Sequence, residues 1–100
     1  MPVTGIRNFL FSDCDDLTSV VISDNVTDLG VGAFAYCDSL TSVVIGDSVT
    51  SIGDMAFYYC PGLENIYYRG TESQWEAISK GSDWNSNTGS CTITYNYTGK

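Results

Sequence analysis

The sequence from Cys14 to Tyr36 reads CDDLTSVVISDNVTDLGVGAFAY, and the stretch that follows it, Cys37 to Tyr59, reads CDSLTSVVIGDSVTSIGDMAFYY. Aligned without a gap, the two stretches are identical at 15 of 23 positions. Self-similarity at a fixed period of about 20 to 50 residues is typical of proteins built from stacked repeats. The sequence therefore predicts a solenoid in which each stretch forms one turn.

Shorter and altered copies of the unit flank these two repeats. Residues 3–13 match its second half, with Arg7 where the full copies have Gly30 and Gly53. Because the array opens in mid-repeat, we expect the chain to be a segment of a longer protein. The predicted organisation is a single domain, 1–100, with a partial repeat at 3–13, full repeats at 14–36 and 37–59, a last strand at 60–70 and a C-terminal cap at 71–98.

Each full unit begins with the pattern L-x-x-V-x-I, and a third instance ends in Ile66 and Tyr68. Period-two alternation with β-branched residues predicts a short strand with one buried face. A single unit is too short to bury its apolar row, whereas stacked units bury one continuous core. The predicted fold is a mostly β solenoid of the α/β class, with parallel strands about 4.8 Å apart.

The C-terminal segment predicts a helix followed by a strand. Thr71 and Gln74 have the spacing of a capping box, in which side chains and backbone N–H groups at the helix start satisfy each other. We expect the helix to continue to Lys80, with an ion pair between Glu76 and Lys80 and with Gly81 after its end. Residues 91–97, CTITYNY, alternate as a half-buried strand does.

The composition excludes several classes of function. The net charge is −8, from 12 acidic and 4 basic side chains. Binding to nucleic acid requires clustered Lys and Arg, so neither nucleic acid nor an anionic membrane surface is a predicted partner. No run approaches the about 20 apolar residues of a membrane helix, so membrane insertion is not predicted. The first residues, MPVTGIRNFLF, lack the pattern of a signal peptide, and we expect any signal or anchor to lie outside this chain.

No motif for catalysis is present, and we predict that the chain is not an enzyme and needs no cofactor. It contains no histidine, no G-x-S-x-G and no phosphate-binding glycine loop. Cys14, Cys37 and Cys60 recur one period apart, so we expect a column of buried thiols rather than four converging zinc ligands. A bridge between Cys60 and Cys91 is left open. Calcium binding by the acidic turns is also left open, although a solvated surface is favoured.

The repeat pattern L-T-S-V-V-I-x-D-x-V-T-x-[LI]-G-x-x-A-F-x-x-C resembles that of the BspA-like leucine-rich repeat family. Residues 66–78 resemble the segment that often closes such arrays. The resemblance implies a leucine-rich-repeat solenoid with a helix-plus-strand cap. It also implies a bacterial protein that is secreted or displayed on the cell surface, since the family comprises bacterial and protist surface proteins.

The outward strand positions are the candidate binding residues, because the resemblance implies that partners bind this sheet face: Ser19, Val21, Ser42, Val44, Asn65 and Tyr67. We predict adhesion to, or recognition of, a protein partner on a host or neighbouring cell. Two alternatives are a carbohydrate-binding module that uses Tyr67, Tyr58 and Trp84, and a structural spacer within a longer array. The uncapped N-terminal end, with Phe9, Leu10 and Phe11, is also predicted to mediate self-association.

Overall fold

The computed structural model describes residues 5–88 and 91–98. They form eight strands and one helix, α1 (Glu72–Ala77). Sheet A consists of short parallel strands in the order β1 (Gly5–Ile6), β3 (Asp28–Leu29), β5 (Ser51–Ile52) and β7 (Ser79–Lys80). Sheet B consists of β2 (Ser19–Ile22), β4 (Ser42–Ile45), β6 (Asn65–Tyr68) and β8 (Thr92–Thr94), also parallel. The predicted leucine-rich-repeat solenoid is therefore confirmed.

The chain passes alternately through the two sheets, and we call each circuit a coil: coil 1 (5–13), coil 2 (14–36), coil 3 (37–59) and coil 4 (60–87). Ser19 pairs with Ser42, and Ser42 pairs with Asn65, so adjacent coils are offset by the 23 residues of the sequence repeat. Ser51 pairs with Ser79, which is 28 residues further on. The five additional residues of coil 4 accommodate α1 between β6 and β7.

One continuous core runs through the coils between the two sheets. Equivalent residues form columns along it, such as Ile22 with Ile45, Leu29 with Ile52 and Leu40 with Leu63, each at most 2% exposed. The rings of Phe11, Phe34 and Phe57 stack with centroid distances of 5.2 and 5.3 Å. Because apolar burial stabilises by about 25 cal/mol per Å², the shared core supplies stability that no single coil has.

The segment between sheet A and the next coil is a series of turns rather than a helix. In coil 2, the N–H groups of Gly32, Phe34 and Tyr36 donate to carbonyl oxygens of coil 3 at 2.7 to 2.8 Å. The intervening N–H groups of Ala33 and Ala35 donate three residues back along their own coil. Backbone groups are thus satisfied both between and within coils, as buried peptide groups require.

A column of glycines lets the coils approach closely. A Cβ at Gly30 would lie 2.5 Å from the amide nitrogen of Asn8, and one at Gly53 would lie 2.6 Å from the carbonyl carbon of Gly30. Each contact is with the backbone of the preceding coil. Arg7 occupies the same column in coil 1, where the described residues place no earlier coil against it.

Helix α1 begins as predicted and ends earlier than predicted. The Thr71 hydroxyl accepts from the Gln74 amide at 3.1 Å, and the Thr71 amide donates to the Gln74 side chain at 2.8 Å, which confirms the capping box. The predicted continuation to Lys80 is wrong, because Ile78 is extended and Ser79–Lys80 pairs with β5.

Lys80 therefore lies beyond the helix, and its ammonium donates to the carbonyl oxygens of Trp75 and Ile78 at 2.7 and 3.2 Å. The predicted ion pair between Glu76 and Lys80 is absent from the described residues. Burial lowers the pKa of Lys80. The lysine thus satisfies carbonyl groups that the end of a helix would otherwise leave without a donor.

Candidate functional site

The outer face of sheet B brings the six predicted binding residues together. Its parallel register aligns equivalent positions across four strands, so that two rows cross the sheet. We call the first the hydroxyl–amide row: Ser19, Ser42, Asn65 and Thr92. We call the second the valine–tyrosine row: Val21, Val44, Tyr67 and Thr94. Neither row contains a charged side chain, although the chain as a whole carries a net charge of −8.

Exposure along this face falls from the edge strand to the centre. Val21 on β2 is 60% exposed, whereas Val44 on β4 is only 8% exposed. The expectation that Val44 presents itself to solvent is therefore wrong. In the register of the sheet, Val21 and Tyr67 flank it on both sides. Ser19 is exposed, and Ser42, Asn65 and Tyr67 are half-buried.

Aromatic and charged side chains close the C-terminal part of the face. The ring of Tyr97 stacks on Tyr67 with a centroid distance of 4.6 Å. The guanidinium of Arg69 lies 5.9 Å from the centre of the Tyr97 ring, and its Nε lies 3.9 Å from the carboxylate of Asp24. The accessible positions of the valine–tyrosine row are therefore at its two ends, Val21 and Thr94.

Sequence reasoning missed three residues of this face: Thr92, Thr94 and Tyr97. A signal for the two threonines was present, since they alternate with Ile93 in the strand predicted at 91–97. Tyr97 lies beyond β8, and its position depends on the backbone hydrogen bond from its N–H to the carbonyl of Tyr68 at 2.9 Å. No local pattern encodes that contact.

The cysteines occupy equivalent positions in successive coils, as the repeat predicts. The thiols of Cys37 and Cys60 donate to the carbonyl oxygens of Phe11 and Phe34, each at 3.1 Å. Both residues are fully buried, whereas Cys14 and Cys91 are partly exposed. All four cysteines are free, and Cys60 and Cys91 are not bridged. The described residues contain no group of three or more Cys, Asp or Glu side chains placed to hold a metal ion.

The burial of these thiols predicts their reactivity. A hydrogen bond with Cys60, followed by burial, raises the pKa of Cys37, and burial raises the pKa of Cys14 and Cys91. Thiolate is the reactive form, so the raised pKa values predict slow reaction of Cys14, Cys37 and Cys91. The hydrogen bond with Cys37 lowers the pKa of Cys60, but Cys60 is fully buried and its thiol is therefore shielded from reagents. With a chromogenic disulfide reagent at pH 8, we expect slow modification of Cys14 and Cys91, and modification of Cys37 and Cys60 only in urea. Rapid labelling of four thiols in the native chain would contradict the buried column.

The aromatic rings of the carbohydrate alternative each pack against other rings and not against one another. Trp84 packs against Phe57 and Trp75 with centroid distances of 6.4 and 5.7 Å. Tyr67 stacks on Tyr97, as described above, and Tyr58 contacts two other tyrosines in the turn segments. The carbohydrate alternative that uses Tyr67, Tyr58 and Trp84 therefore has no shared ring cluster to support it and stays a prediction.

The whole repeat array can now be compared with known families. A sequence model of the BspA-type leucine-rich repeat region, comprising six copies, matches residues 2–98. The chain belongs to this family. The matched residues include both sheets and α1.

Among solved structures, one similar to this chain is the crystal structure at 1.80 Å of a leucine-rich cell surface protein from Faecalibacterium prausnitzii A2-165. The two are 29% identical, the match covers 79% of this chain, and the TM-score is 0.49. This chain spans about a third of that structure, 34% of its length. Among proteins with curated functions, none matches the sequence. Of the helices in the described residues, none has the length and apolar character needed to cross a membrane.

Proposed function

We propose that the chain is a non-enzymatic recognition module, secreted or displayed on a bacterial cell surface, that binds a protein partner in adhesion. The observation that carries the proposal is the pair of uncharged rows on the outer face of sheet B, with Val21 60% exposed beside the hydroxyl–amide row. A surface valine contributes little to folding, and protein interfaces are depleted of charge at their centre. Membership of the BspA-type family supports the proposed surface placement.

The geometry favours a broad, shallow contact. Adjacent strands present equivalent side chains about 4.8 Å apart, so that one row of the sheet spans about 15 Å across four strands. Each row position contributes a small side chain, and high affinity therefore depends on several positions or on several copies of the module. A host protein or a protein of a neighbouring cell fits this description.

Substitution of Val21 by glutamate tests the proposal. We expect Val21→Glu to reduce capture of the partner by at least about tenfold, because burying an unpaired carboxylate at an interface costs more than the about 1.4 kcal/mol that corresponds to tenfold. The chain is immobilised at high density, and bound proteins from host-cell and bacterial surface extracts are quantified by mass spectrometry.

Ser79→Glu is the matched control, because Ser79 is exposed on sheet A and the substitution adds the same charge. A protein lost with Val21→Glu and retained with Ser79→Glu supports recognition by sheet B. Equal capture by the two variants contradicts it. The spacer alternative predicts that removing the repeats from a longer parent protein leaves its set of bound proteins unchanged.

The exposed apolar side chains of coil 1 are proposed to mediate self-association of the 100-residue chain. Phe9 and Leu10 are 54% and 41% exposed, and a groove of about 290 Å³ lies beside Leu10, Phe11 and Val20. We expect light scattering to show a dimer that Phe9→Ser converts to monomer. A strict monomer at high concentration would contradict the proposal.

The Arg7→Gly variant distinguishes two modes of association. A copy stacked in register as another coil would collide with the Cβ of Arg7, as the contacts at Gly30 and Gly53 show for interior coils. End-to-end stacking therefore predicts stronger association in Arg7→Gly. Pairing of two open ends face to face predicts no change.

A further inference from the structure

Three tyrosines form a contiguous aromatic patch away from the outer face of sheet B. We define this tyrosine patch as Tyr36, Tyr58 and Tyr59, in the turn segments of coils 2 and 3. The ring centroid of Tyr36 lies 5.6 Å from that of Tyr58 and 5.7 Å from that of Tyr59. Tyr36 and Tyr59 are 44% and 47% exposed, and Tyr58 is half-buried. These rings contribute their area to the surface rather than to the core.

At two of these tyrosines the backbone adopts a conformation that does not favour an aromatic residue. Tyr36 and Tyr59 have φ values of 61° and 57°, in the left-handed region that bulky residues rarely adopt. Their equivalents in coils 1 and 4 are Asp13 and Asn87, with φ values of 60° and 62°. Asp and Asn are favoured in this conformation. The conformation belongs to the repeat, since Phe9 and Met55 also have positive φ values, and coils 2 and 3 carry tyrosine at this position despite its conformational cost.

The surroundings of the tyrosine patch are polar. On the coil 1 side the equivalent segment ends in Ser12 and Asp13, and on the coil 4 side it ends in Ser86 and Asn87. The coils are held in this order by hydrogen bonds from the Asp13, Tyr36 and Tyr59 N–H groups to the next coil, at 2.8 to 2.9 Å. The register thus places hydroxyl, carboxylate and amide side chains at the equivalent positions of the coils on either side of the patch. The hydroxyls of Ser12 and Ser86 are bonded within their own turns.

We propose that the tyrosine patch binds a neutral glycan. The C–H faces of a pyranose ring pack on aromatic rings, while its hydroxyls exchange hydrogen bonds with tyrosine hydroxyls, carboxylates and amides. The net charge of −8 disfavours an anionic ligand. The rings touch one another, so they leave no gap between them that could enclose an ammonium group as an aromatic cage does. This site is separate from the proposed protein-binding face on sheet B.

Asparagine substitutions remove the rings without straining the fold, because asparagine already occupies the equivalent position in coil 4. The test uses the full chain with neutral hexasaccharides of glucose, xylose and mannose. Each is added to about 10 mM, which would nearly saturate a site with a dissociation constant of about 1 mM. Tyrosine ring resonances are followed by NMR. We expect at least one hexasaccharide to shift them saturably, and the Tyr36→Asn/Tyr59→Asn double variant to weaken binding at least tenfold while its thermal midpoint is unchanged or raised.

Controls separate this proposal from its competitors and from the proposed function. Tyr67→Ser removes an aromatic side chain from sheet B and should leave glycan binding unchanged, whereas Val21→Glu affects only capture of the protein partner. Tetramethylammonium chloride and a polyproline peptide are titrated in parallel. The proposal is overturned if none of the hexasaccharides binds, if binding persists in the double variant, or if only the ammonium salt or the peptide binds in their place.

Discussion

Replacing Gly53 by alanine is expected to lower the free energy of unfolding by about 3 kcal/mol or more, the upper range for forcing extra atoms into a packed interior. The new Cβ would lie 2.6 Å from the carbonyl carbon of Gly30 and 2.6 Å from the amide nitrogen of Val31. Both are backbone atoms, and the Gly53 N–H is held to the carbonyl of Leu29 at 2.8 Å. The two coils must therefore separate. The thermal midpoint should fall by at least about 10 °C, at about 4–8 °C per kcal/mol.

Gly62→Ala provides the matched control for this prediction. A Cβ at Gly62 meets only the carbonyl oxygens of Leu40 and Asp38, at 3.3 and 3.4 Å. We expect the free energy of unfolding to change by less than about 1 kcal/mol, as is common away from packed backbone contacts. Urea unfolding followed by circular dichroism measures both variants. If Gly53→Ala is as stable as Gly62→Ala, the coils do not approach each other as described.

Phe34→Ala is expected to have the second large effect, a loss of about 3–5 kcal/mol. Phe34 is 1% exposed and lies in the middle of the aromatic stack, with Phe11 on one side and Phe57 on the other. Its removal leaves a cavity that two neighbouring coils enclose. The chain should then be largely unfolded near physiological temperature, which a thermal scan by circular dichroism would show.

Phe11→Ala is the comparison for Phe34→Ala, because Phe11 is the first ring of the same stack in the described residues and is partly exposed. Fewer contacts are lost there, and we expect less than half of the destabilisation. Equal losses in the two variants would indicate that the coils do not bury a continuous aromatic column.

The solenoid and its register could be predicted because the same residue pattern recurs in successive coils. The gapless alignment of Cys14–Tyr36 with Cys37–Tyr59 pairs Ser19 with Ser42 and Ile22 with Ile45, and the structure has these pairs. The membership of the outer face also followed from period-two alternation. Its exposure did not follow, because the burial of Val44 depends on the strands at both sides.

Other features depend on contacts that no local pattern reveals. The turn segment 31–36 has neither a helical nor an alternating period, and its left-handed residue Tyr36 is of a type that does not favour that conformation. The helix ended before Lys80 because pairing of β7 with β5 outweighs the helix propensity of the sequence. Sequence reasoning also missed the tyrosine patch. Its members are brought together by the stacking of coils 2 and 3.

The central claim is that coils stack in register at intervals of about one sequence repeat, which aligns the side chains of the outer face and of the tyrosine patch. Scalar couplings across hydrogen bonds, measured by NMR, test it most directly. We predict couplings from the Phe34 amide nitrogen to the Ala56 carbonyl and from the Thr41 amide nitrogen to the Thr18 carbonyl, groups that lie 2.7 and 2.8 Å apart. Couplings from residues 31–36 to carbonyls four residues earlier, with none between coils, would contradict the account.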